Sequence, residues 1–320
     1  MPAARPTEAA VIQAPASTGS AAPILFGVAT PGGPSSLADL DAFERHADKR
    51  VGLYLYYKSF AYGRFEPVQA DAIRARGALP AITWEPWEPT GTANQPPYAL
   101  QRVTSGAYDD YIRQWATDIK RWRHPLLLRF AHEMNGDWYP WCEGVNGNRP
   151  GDYVAAWRHV RRIFGSVGAT NASWVWNPYV RLPGSALLGS FYPGDRYVDC
   201  VGLDGYNWGS TRAGSSWQSF AETFEASVAE LRDITDKPLV IGEVATTEVG
   251  GDKAAWIKDF FGCLKRNPAI RAFVWFNFEK ESDWRIESSA AATAAFAAGI
   301  SDPRFGGRPE HAVAPGSIAA

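Results

Sequence analysis

The sequence predicts an α/β fold, a single-domain (β/α)8 or TIM barrel of parallel strands and surrounding helices. Short apolar or β-branched runs alternate with longer segments of helical period from residue 24 onward. Eight such runs are present, and the 320 residues exceed the roughly 250 that such a barrel needs. Several runs are almost continuously apolar, as expected for strands covered on both faces.

The elements follow in order along the chain. The predicted strands occupy residues 24–29, 51–57, 79–84, 125–133, 173–178, 199–207, 238–245 and 270–277. The predicted helices occupy residues 36–47, 67–76, 108–122, 153–164, 217–233, 253–265 and 289–298. The fifth connection, residues 181–194, is short and rich in Gly and Pro, so its helix is the weakest prediction. Eight repeats favour a closed barrel over an open sheet.

The two ends of the chain differ in composition from the predicted barrel, which covers residues 23–302. Residues 1–22 do not have the basic end and apolar block of an intact signal peptide, so they are interpreted as a flexible tail or linker. Residues 303–320 are predicted to form a flexible C-terminal tail, because their composition resembles that of disordered segments.

Charge and cysteine content exclude several classes of function. The 32 basic and 34 acidic residues give a net charge of −2, which does not favour binding to nucleic acid or to an anionic membrane. No stretch approaches the roughly 18 apolar residues that span a bilayer. The three cysteines do not have zinc-site spacing and are interpreted as buried thiols. We therefore expect a neutral partner, a monomer, no metal and no cofactor.

Polar side chains gather at the ends of two predicted strands. Arg129, His132, Glu133 and Asn135 lie where the fourth strand leaves the core, and Glu243 lies at the end of the seventh. Because the catalytic groups of a parallel barrel sit at the carboxyl ends of its strands, these residues are the candidates. Strands four and seven face each other, so the two glutamates can flank one bond of a substrate.

Paired carboxyl groups of this kind suit glycoside hydrolysis, in which one group protonates the leaving oxygen and the other attacks the sugar carbon. Tyr206 is expected beside Glu243, where a phenol hydrogen bond would favour the ionised form. Apolar cover around Glu133 would disfavour ionisation, which suits an acid. The residues that are expected to supply this cover are His132, Trp138 and Trp141.

Tryptophans are concentrated at or just beyond the predicted strand ends. A sugar stacks its C–H face on such rings, so they predict carbohydrate-binding subsites around the mouth of the barrel. The indoles concerned are Trp84, Trp87, Trp138, Trp141, Trp176, Trp208, Trp275 and Trp284.

Taken together, these motifs resemble those of glycoside hydrolase family 26, a barrel family whose two catalytic glutamates follow strands four and seven. The strongest motif is HEMNGDWYPW at residues 132–141, supported by WVWNP, GLDGYNW, LVIGE and FVWFN at matching positions. The resemblance implies a retaining β-glycoside hydrolase with Glu133 as acid/base and Glu243 as nucleophile. It also implies hydrogen-bonding partners at His132 and Tyr206 and subsite walls at Trp138 and Trp275.

The family consists largely of endo-β-1,4-mannanases, with smaller groups that cut mixed-linkage β-1,3-1,4-glucan or β-1,3-xylan. Mannanases of the family often have an Arg after the tryptophan of the last strand, whereas Phe276 follows Trp275 here. This departure favours mixed-linkage glucan, with mannan or glucomannan as the alternative. The same motifs would also suit a transglycosylase or a non-catalytic carbohydrate-binding barrel. A polysaccharide substrate implies a secreted or cell-envelope location.

Overall fold

A computed structural model describes residues 23–306, and its eight strands form one closed, all-parallel barrel in which β1 pairs with β8. The strands are β1 Leu25–Ala29, β2 Leu53–Ser59, β3 Leu79–Glu85, β4 Leu126–Phe130, β5 Ala172–Trp176, β6 Cys200–Asn207, β7 Leu239–Thr246 and β8 Ile270–Phe276. Every predicted strand is present within a few residues of its predicted bounds. The predicted (β/α)8 barrel is therefore confirmed.

The helices follow the strands except after β5. They are α1 Ala38–Ala47, α2 Pro67–Ala75, α3 Leu100–Thr104, α4 Asp109–Trp122, α5 Asp152–Val167, α6 Phe220–Ile234, α7 Lys253–Arg266 and α8 Ala290–Ile300. The short helix α3 is not among the predicted elements. The connection after β5 has only two 3-10 turns, Leu188–Phe191 and Asp195–Tyr197. Its Gly184 and Gly194 adopt positive φ, which interrupts a regular helix.

Polar side chains cap the N-termini of three helices and so define where the preceding βα loops end. Ser219 caps α6 in a reciprocal capping box with Glu222, and the side chain of Asp252 accepts a hydrogen bond from the amide of Ala255 at the start of α7. Ser289 caps α8 in the same way through the amide of Ala292. These caps anchor the ends of the loops that follow β6, β7 and β8.

Alternate residues of each strand face either the surrounding helices or the barrel interior. Trp84 on β3 points outward and packs on Trp115 of α4, with ring centroids 4.7 Å apart. Its neighbour Thr83 points inward and accepts a hydrogen bond from Arg129 of β4. Because alternate residues of a strand face opposite sides, the next residue, Glu85, returns to the interior.

A β-bulge in β7 breaks this alternation at one place. Leu203 pairs with Ile241 but Asp204 pairs with Glu243, so Gly242 is an extra residue between them. A bulge re-aims the following side chain, and Glu243 thereby faces the barrel interior. A β-carbon at position 242 would collide with Asn177 Oδ1, so the polar interior leaves room only for glycine.

Two predictions about the chain ends concern residues outside the described range. The N-terminal tail, residues 1–22, and residues 307–320 lie outside it. Phe305, three residues beyond the predicted end of the barrel, is fully buried against Phe261 and Phe273. Among the described residues no helix is long and apolar enough to cross a membrane.

Candidate active site

A cavity of about 800 Å³ opens at the carboxyl ends of the strands, and both Glu133 and Glu243 line it. Glu133 follows β4 and Glu243 lies in β7, on opposite sides of the barrel. The two residues are 6% and 4% exposed. The structure thus brings the two predicted carboxyl groups into one nearly buried site.

Three donors hold the Glu243 carboxylate. Tyr57 donates its hydroxyl hydrogen to Oε1 at 2.8 Å, and Arg129 Nη2 bonds the same oxygen. Tyr206 donates to Oε2, as predicted for the end of β6. An ionised carboxylate is an acceptor only, so this set of donors matches the anion.

Arg129 joins Glu243 to a second acid in the barrel interior. Its Nη1 donates to Asp204 Oδ2 at 2.7 Å, and its Nε donates to Thr83 Oγ1 at 2.9 Å. Guanidinium and both carboxylates are almost completely shielded from water. The network fixes the orientation of Glu243, because each hydrogen bond of the planar guanidinium constrains the other two.

The backbone places Glu133 in an unusual conformation. Ala131 and Glu133 both have positive φ, 45° and 53°, a left-handed region that non-glycine residues seldom adopt. The Glu133 amide donates to the carbonyl of Asn177 after β5 at 2.7 Å. Backbone strain of this kind persists at sites where the surrounding structure requires one geometry.

The environment of the Glu133 carboxyl is the opposite of that of Glu243. Burial raises the pKa of Glu133 to about 8, and the nearby charge of Glu243 also acts to raise it. Trp138 donates its indole hydrogen to Glu133 Oε2 at 2.7 Å, which partly opposes this rise in pKa. The environment of Glu133 therefore favours its protonated form, beside a carboxyl group that accepts hydrogen bonds from three donors.

His132 does not form the predicted hydrogen bond with a catalytic glutamate. Its ring packs on Tyr139 at 4.9 Å, and its Nδ1 is buried without a hydrogen-bond partner among the described residues. Burial and the charge of Arg129 hold the pKa of His132 well below its usual range. Its carbonyl accepts a 2.6 Å hydrogen bond from Trp141, so the residue stabilises the loop as a neutral aromatic group.

Comparison with known proteins identifies the family of this site. Residues 69–259 match the model of glycosyl hydrolase family 26. The chain belongs to this family. It is also 42% identical over 244 residues to Endoglucanase H of Acetivibrio thermocellus, covering 73% of this chain but only 26% of that protein.

Two further proteins are similar to this chain in sequence or in fold. Mannan endo-1,4-beta-mannosidase A and B of Caldalkalibacillus mannanilyticus is 32% identical over 128 residues, 38% of this chain and 22% of that protein. The structure of a Cellulomonas fimi endo-beta-1,4-mannanase double mutant superposes with a TM-score of 0.66 at 19% identity, covering 88% of this chain and 72% of that one. At that identity the likeness shows the shared fold. The chain spans about a quarter of the length of the two sequence relatives.

Several other predicted residues of this family 26 site lie in or beside the cavity. Trp138, Tyr206 and Trp208 line it. Asn135 lies behind it and exchanges two 2.8 Å hydrogen bonds with the backbone of Tyr179, which does line the cavity. Trp141 is fully buried and supports the wall from behind, with its ring stacked 4.3 Å from that of cavity-lining Tyr139.

The prediction that Trp84, Trp176 and Trp275 bind substrate directly is wrong. All three are 0% exposed, and their rings lie outside the barrel wall. Trp275 packs against Phe296 of α8 at 5.1 Å, and Trp176 packs on Tyr192 at 4.9 Å. Their position at strand ends agrees with the prediction, but the alternation of the strand turns them towards the helices.

Trp84 and Trp87, at the end of the third strand, test the difference between a tryptophan that packs against the helices and one that lines the cavity. Trp84→Ala is expected to lower the free energy of unfolding by about 3–5 kcal/mol, because it leaves a large cavity in the core. Trp87 is half-buried and lines the cavity, so Trp87→Ala should instead raise KM with little loss of stability. Denaturant unfolding and steady-state kinetics of both variants check this. A raised KM for Trp84→Ala at unchanged stability would contradict it.

Three important residues of the site are not among those that the sequence predicts. Tyr57 and Tyr139 both line the cavity, and Asp204 bonds Arg129 below it. Tyr57 stands third from the end of β2, a strand that also contains Tyr54 and Tyr56, so a tyrosine there is equally expected as packing. The sequence does indicate a role for Asp204, because an acidic residue inside the buried run CVGLDGYN requires a charged or hydrogen-bonding partner.

Ligand atoms of His132, Asp204 and Glu243 lie within 4.8 Å of one another, a spacing that could hold a metal ion. Arg129 already bonds both carboxylates of this group. A cation placed there would lie against the guanidinium, so the cluster is better explained as an ion-pair network. The absence of a metal and of a cofactor stays a prediction.

Proposed function

We propose that this chain is a retaining endo-β-glycanase in which Glu243 is the nucleophile and Glu133 the general acid/base. The supporting observation is the contrast between the two carboxyl groups of one cavity. Glu243 accepts hydrogen bonds from three donors, whereas Glu133 is buried and its raised pKa favours the protonated form. A two-step glycosidase needs this division of protonation states before substrate arrives.

In the first step, a Glu243 oxygen attacks the anomeric carbon and the bond to the leaving oxygen breaks. Glu133 transfers its proton to that oxygen, so the leaving sugar departs as an alcohol. The products are a glycosyl ester on Glu243 and an ionised Glu133. Tyr57, Tyr206 and Arg129 hold the attacking carboxylate in one orientation.

In the second step, Glu133 acts as a base. It removes a proton from a water molecule, which attacks the anomeric carbon of the ester and releases Glu243 as a carboxylate. Two inversions give net retention, and Glu133 recovers its proton. Proton NMR of the first product formed from a β-glycan is expected to show the β-anomer.

Aromatic rings on both sides of the acid pair support cleavage within a chain of sugars. Trp87 and Tyr139 line the cavity on the side of β3 and β4, and Trp208 and Phe278, both partly exposed, line it on the side of β6 and β8. Each pair offers apolar surface for sugar units. A substrate is therefore bound on both sides of the bond that is cut.

Mixed-linkage β-1,3-1,4-glucan is the proposed substrate, and mannan or glucomannan is the alternative. The relative that matches 73% of this chain is named an endoglucanase, whereas the mannosidase match is shorter. Phe276 lines the cavity and stacks on Phe278 at 4.1 Å, at the position where mannanases of the family often have an arginine. A polymeric substrate of this kind also supports action outside the cell or at its envelope.

The substrate is tested by incubating the protein with barley β-glucan, lichenan, glucomannan, mannan and xylan and sizing the products by mass spectrometry. We expect β-glucan and lichenan to be cut internally to short oligosaccharides. Faster cleavage of mannan would establish the alternative. Lengthened products would indicate transglycosylation, and binding without cleavage would indicate a non-catalytic barrel.

The pH dependence follows from the protonation state of Glu133. Because this group must carry a proton in the first step, kcat/KM is expected to fall as pH rises through its pKa of about 8. Trp138→Phe removes a hydrogen bond that stabilises the ionised form, so it should raise that pKa and move the alkaline limb to higher pH.

Trp208→Phe is the matched control, since Trp208 lines the same cavity but donates its indole hydrogen to Tyr179 instead. Its alkaline limb should coincide with that of the wild type. A limb that does not move in Trp138→Phe, or moves equally in both variants, would contradict the assignment of this limb to Glu133.

A further inference from the structure

A third carboxyl group, that of Glu85, lies in the cavity and takes no part in the two-step reaction. Glu85 ends β3, and strand alternation turns it inward while Trp84 points out to the helices. It lines the cavity together with Glu133 and Glu243 and is only 5% exposed. Its position makes it accessible to a bound ligand but hardly to bulk water.

The Glu85 carboxyl has no hydrogen-bond partner of normal geometry among the described residues. The indole of Trp87 lies close enough to lower its pKa, yet the indole N–H is buried without a regular hydrogen bond. Arg129, which could neutralise a carboxylate, already bonds Asp204 and Glu243. A nearly buried polar group without a partner is costly in the empty protein.

Burial raises the pKa of Glu85 to about 8, and the nearby charge of Glu243 also acts to raise it. The group is therefore a neutral acid at pH 7, with one O–H donor and free acceptor positions. This combination complements a sugar hydroxyl, which also donates and accepts. A carboxylate could only accept.

The surroundings of Glu85 indicate where that sugar lies. Trp87 and Tyr139 line the same part of the cavity, with their rings perpendicular and 5.1 Å apart. Tyr139 stays in place because it stacks on buried Trp141. Two fixed aromatic surfaces and one hydrogen-bonding group provide the kinds of contact by which a pyranose ring is bound.

We propose that Glu85 binds a hydroxyl group of the sugar unit lying on the Trp87–Tyr139 side of the cleaved bond, and so contributes to the choice of substrate. This inference rests on the proposed glycanase function. It makes Glu85 a specificity-determining residue, distinct from the acid pair that breaks the bond.

The test compares Glu85→Ala and Glu85→Gln with the control Glu88→Gln. Glu88 belongs to the same loop but lies outside the cavity lining, and its carboxyl bonds Tyr62. Glu85→Ala is expected to lower kcat/KM on β-glucan by at least about tenfold, whereas Glu85→Gln should retain it within about threefold, because an amide also donates and accepts. The control should match the wild type.

A structural role would give a different result. Thermal unfolding of Glu85→Ala should occur at or above the wild-type temperature, since the substitution removes a buried group without a partner. If the variant unfolds at a markedly lower temperature or does not fold, the carboxyl is structural and the proposal fails. Wild-type kcat/KM in Glu85→Ala, or a loss in Glu85→Gln as large as in Glu85→Ala, would also overturn it.

A binding experiment distinguishes failure of this inference from failure of the proposed function. Calorimetry with a β-glucan oligosaccharide in a Glu133→Gln background measures affinity without hydrolysis. With Glu85 present, affinity should fall as pH rises above about 8, and with Glu85→Gln it should stay constant. A wild-type chain that binds with this pH dependence but cleaves no glycan would refute only the glycanase function. A pH dependence shared by both variants would refute the role of Glu85.

Discussion

Glu243→Ala is expected to lower kcat/KM on every β-glycan and aryl glycoside by more than about 10⁴-fold, or about 5.5 kcal/mol of transition-state stabilisation. The substitution removes the atom that forms the glycosyl ester, and the remaining groups cannot replace it. Tyr57, Tyr206 and Arg129 all donate to this carboxylate. Initial rates on β-glucan and on an aryl β-glucoside or β-cellobioside measure the loss.

Added azide distinguishes the loss of the nucleophile from general damage. In Glu243→Ala the anion can occupy the vacated space and attack the anomeric carbon directly, which produces an α-glycosyl azide from an aryl β-glycoside. The control is Glu248→Ala. Glu248 lies just beyond the same strand, accepts a hydrogen bond from Ser288 and does not line the cavity. Wild-type activity in Glu243→Ala, or loss in the control alone, would refute the assignment.

The acid pair could be predicted from sequence because its positions depend on local patterns. Each run of apolar residues ends at a polar one, and a parallel barrel gathers all such ends at one mouth. This reasoning places Glu133, Glu243 and Tyr206 beside one cavity, where the structure also has them. It also locates every strand, because buried parallel strands are distinctive in composition.

Side-chain direction is harder to predict, because it changes with every residue. A tryptophan at a strand end faces either the cavity or the helices, and a shift of one residue decides between them. Trp84, Trp176 and Trp275 all face outward, whereas Glu85 and Phe276, each next to one of them, line the cavity. Counting tryptophans at strand ends could not make this distinction.

The electrostatic network below Glu243 depends on contacts between distant strands. Arg129 bonds Asp204, 75 residues away, and Glu243, 114 residues away. The bulge at Gly242 decides which of two successive positions faces inward. A single sequence gives the residue types of this network, but their pairing depends on strand register and on the bulge.

Glu133→Ala is expected to have an effect that depends on the leaving group. On β-glucan, whose leaving group is a sugar alcohol, the rate of the first step should fall by about 10²–10⁴-fold, the usual contribution of a general acid. On a 2,4-dinitrophenyl β-glycoside the leaving group needs no proton, so the ester on Glu243 should form almost as fast as in the wild type. Turnover then slows because no base activates water, and a burst of dinitrophenol is expected.

The fate of that ester separates the roles of the two glutamates. Azide needs no general base, so it should accelerate turnover of Glu133→Ala and give a β-glycosyl azide, the opposite anomer to that expected for Glu243→Ala. Glu143→Ala, in the same loop but outside the cavity lining, should behave as the wild type. Equal losses on both substrates would mean that Glu133 is not the proton donor. An α-azide from Glu133→Ala would mean that the two roles are reversed, because the face from which azide attacks reports which carboxylate carries the sugar.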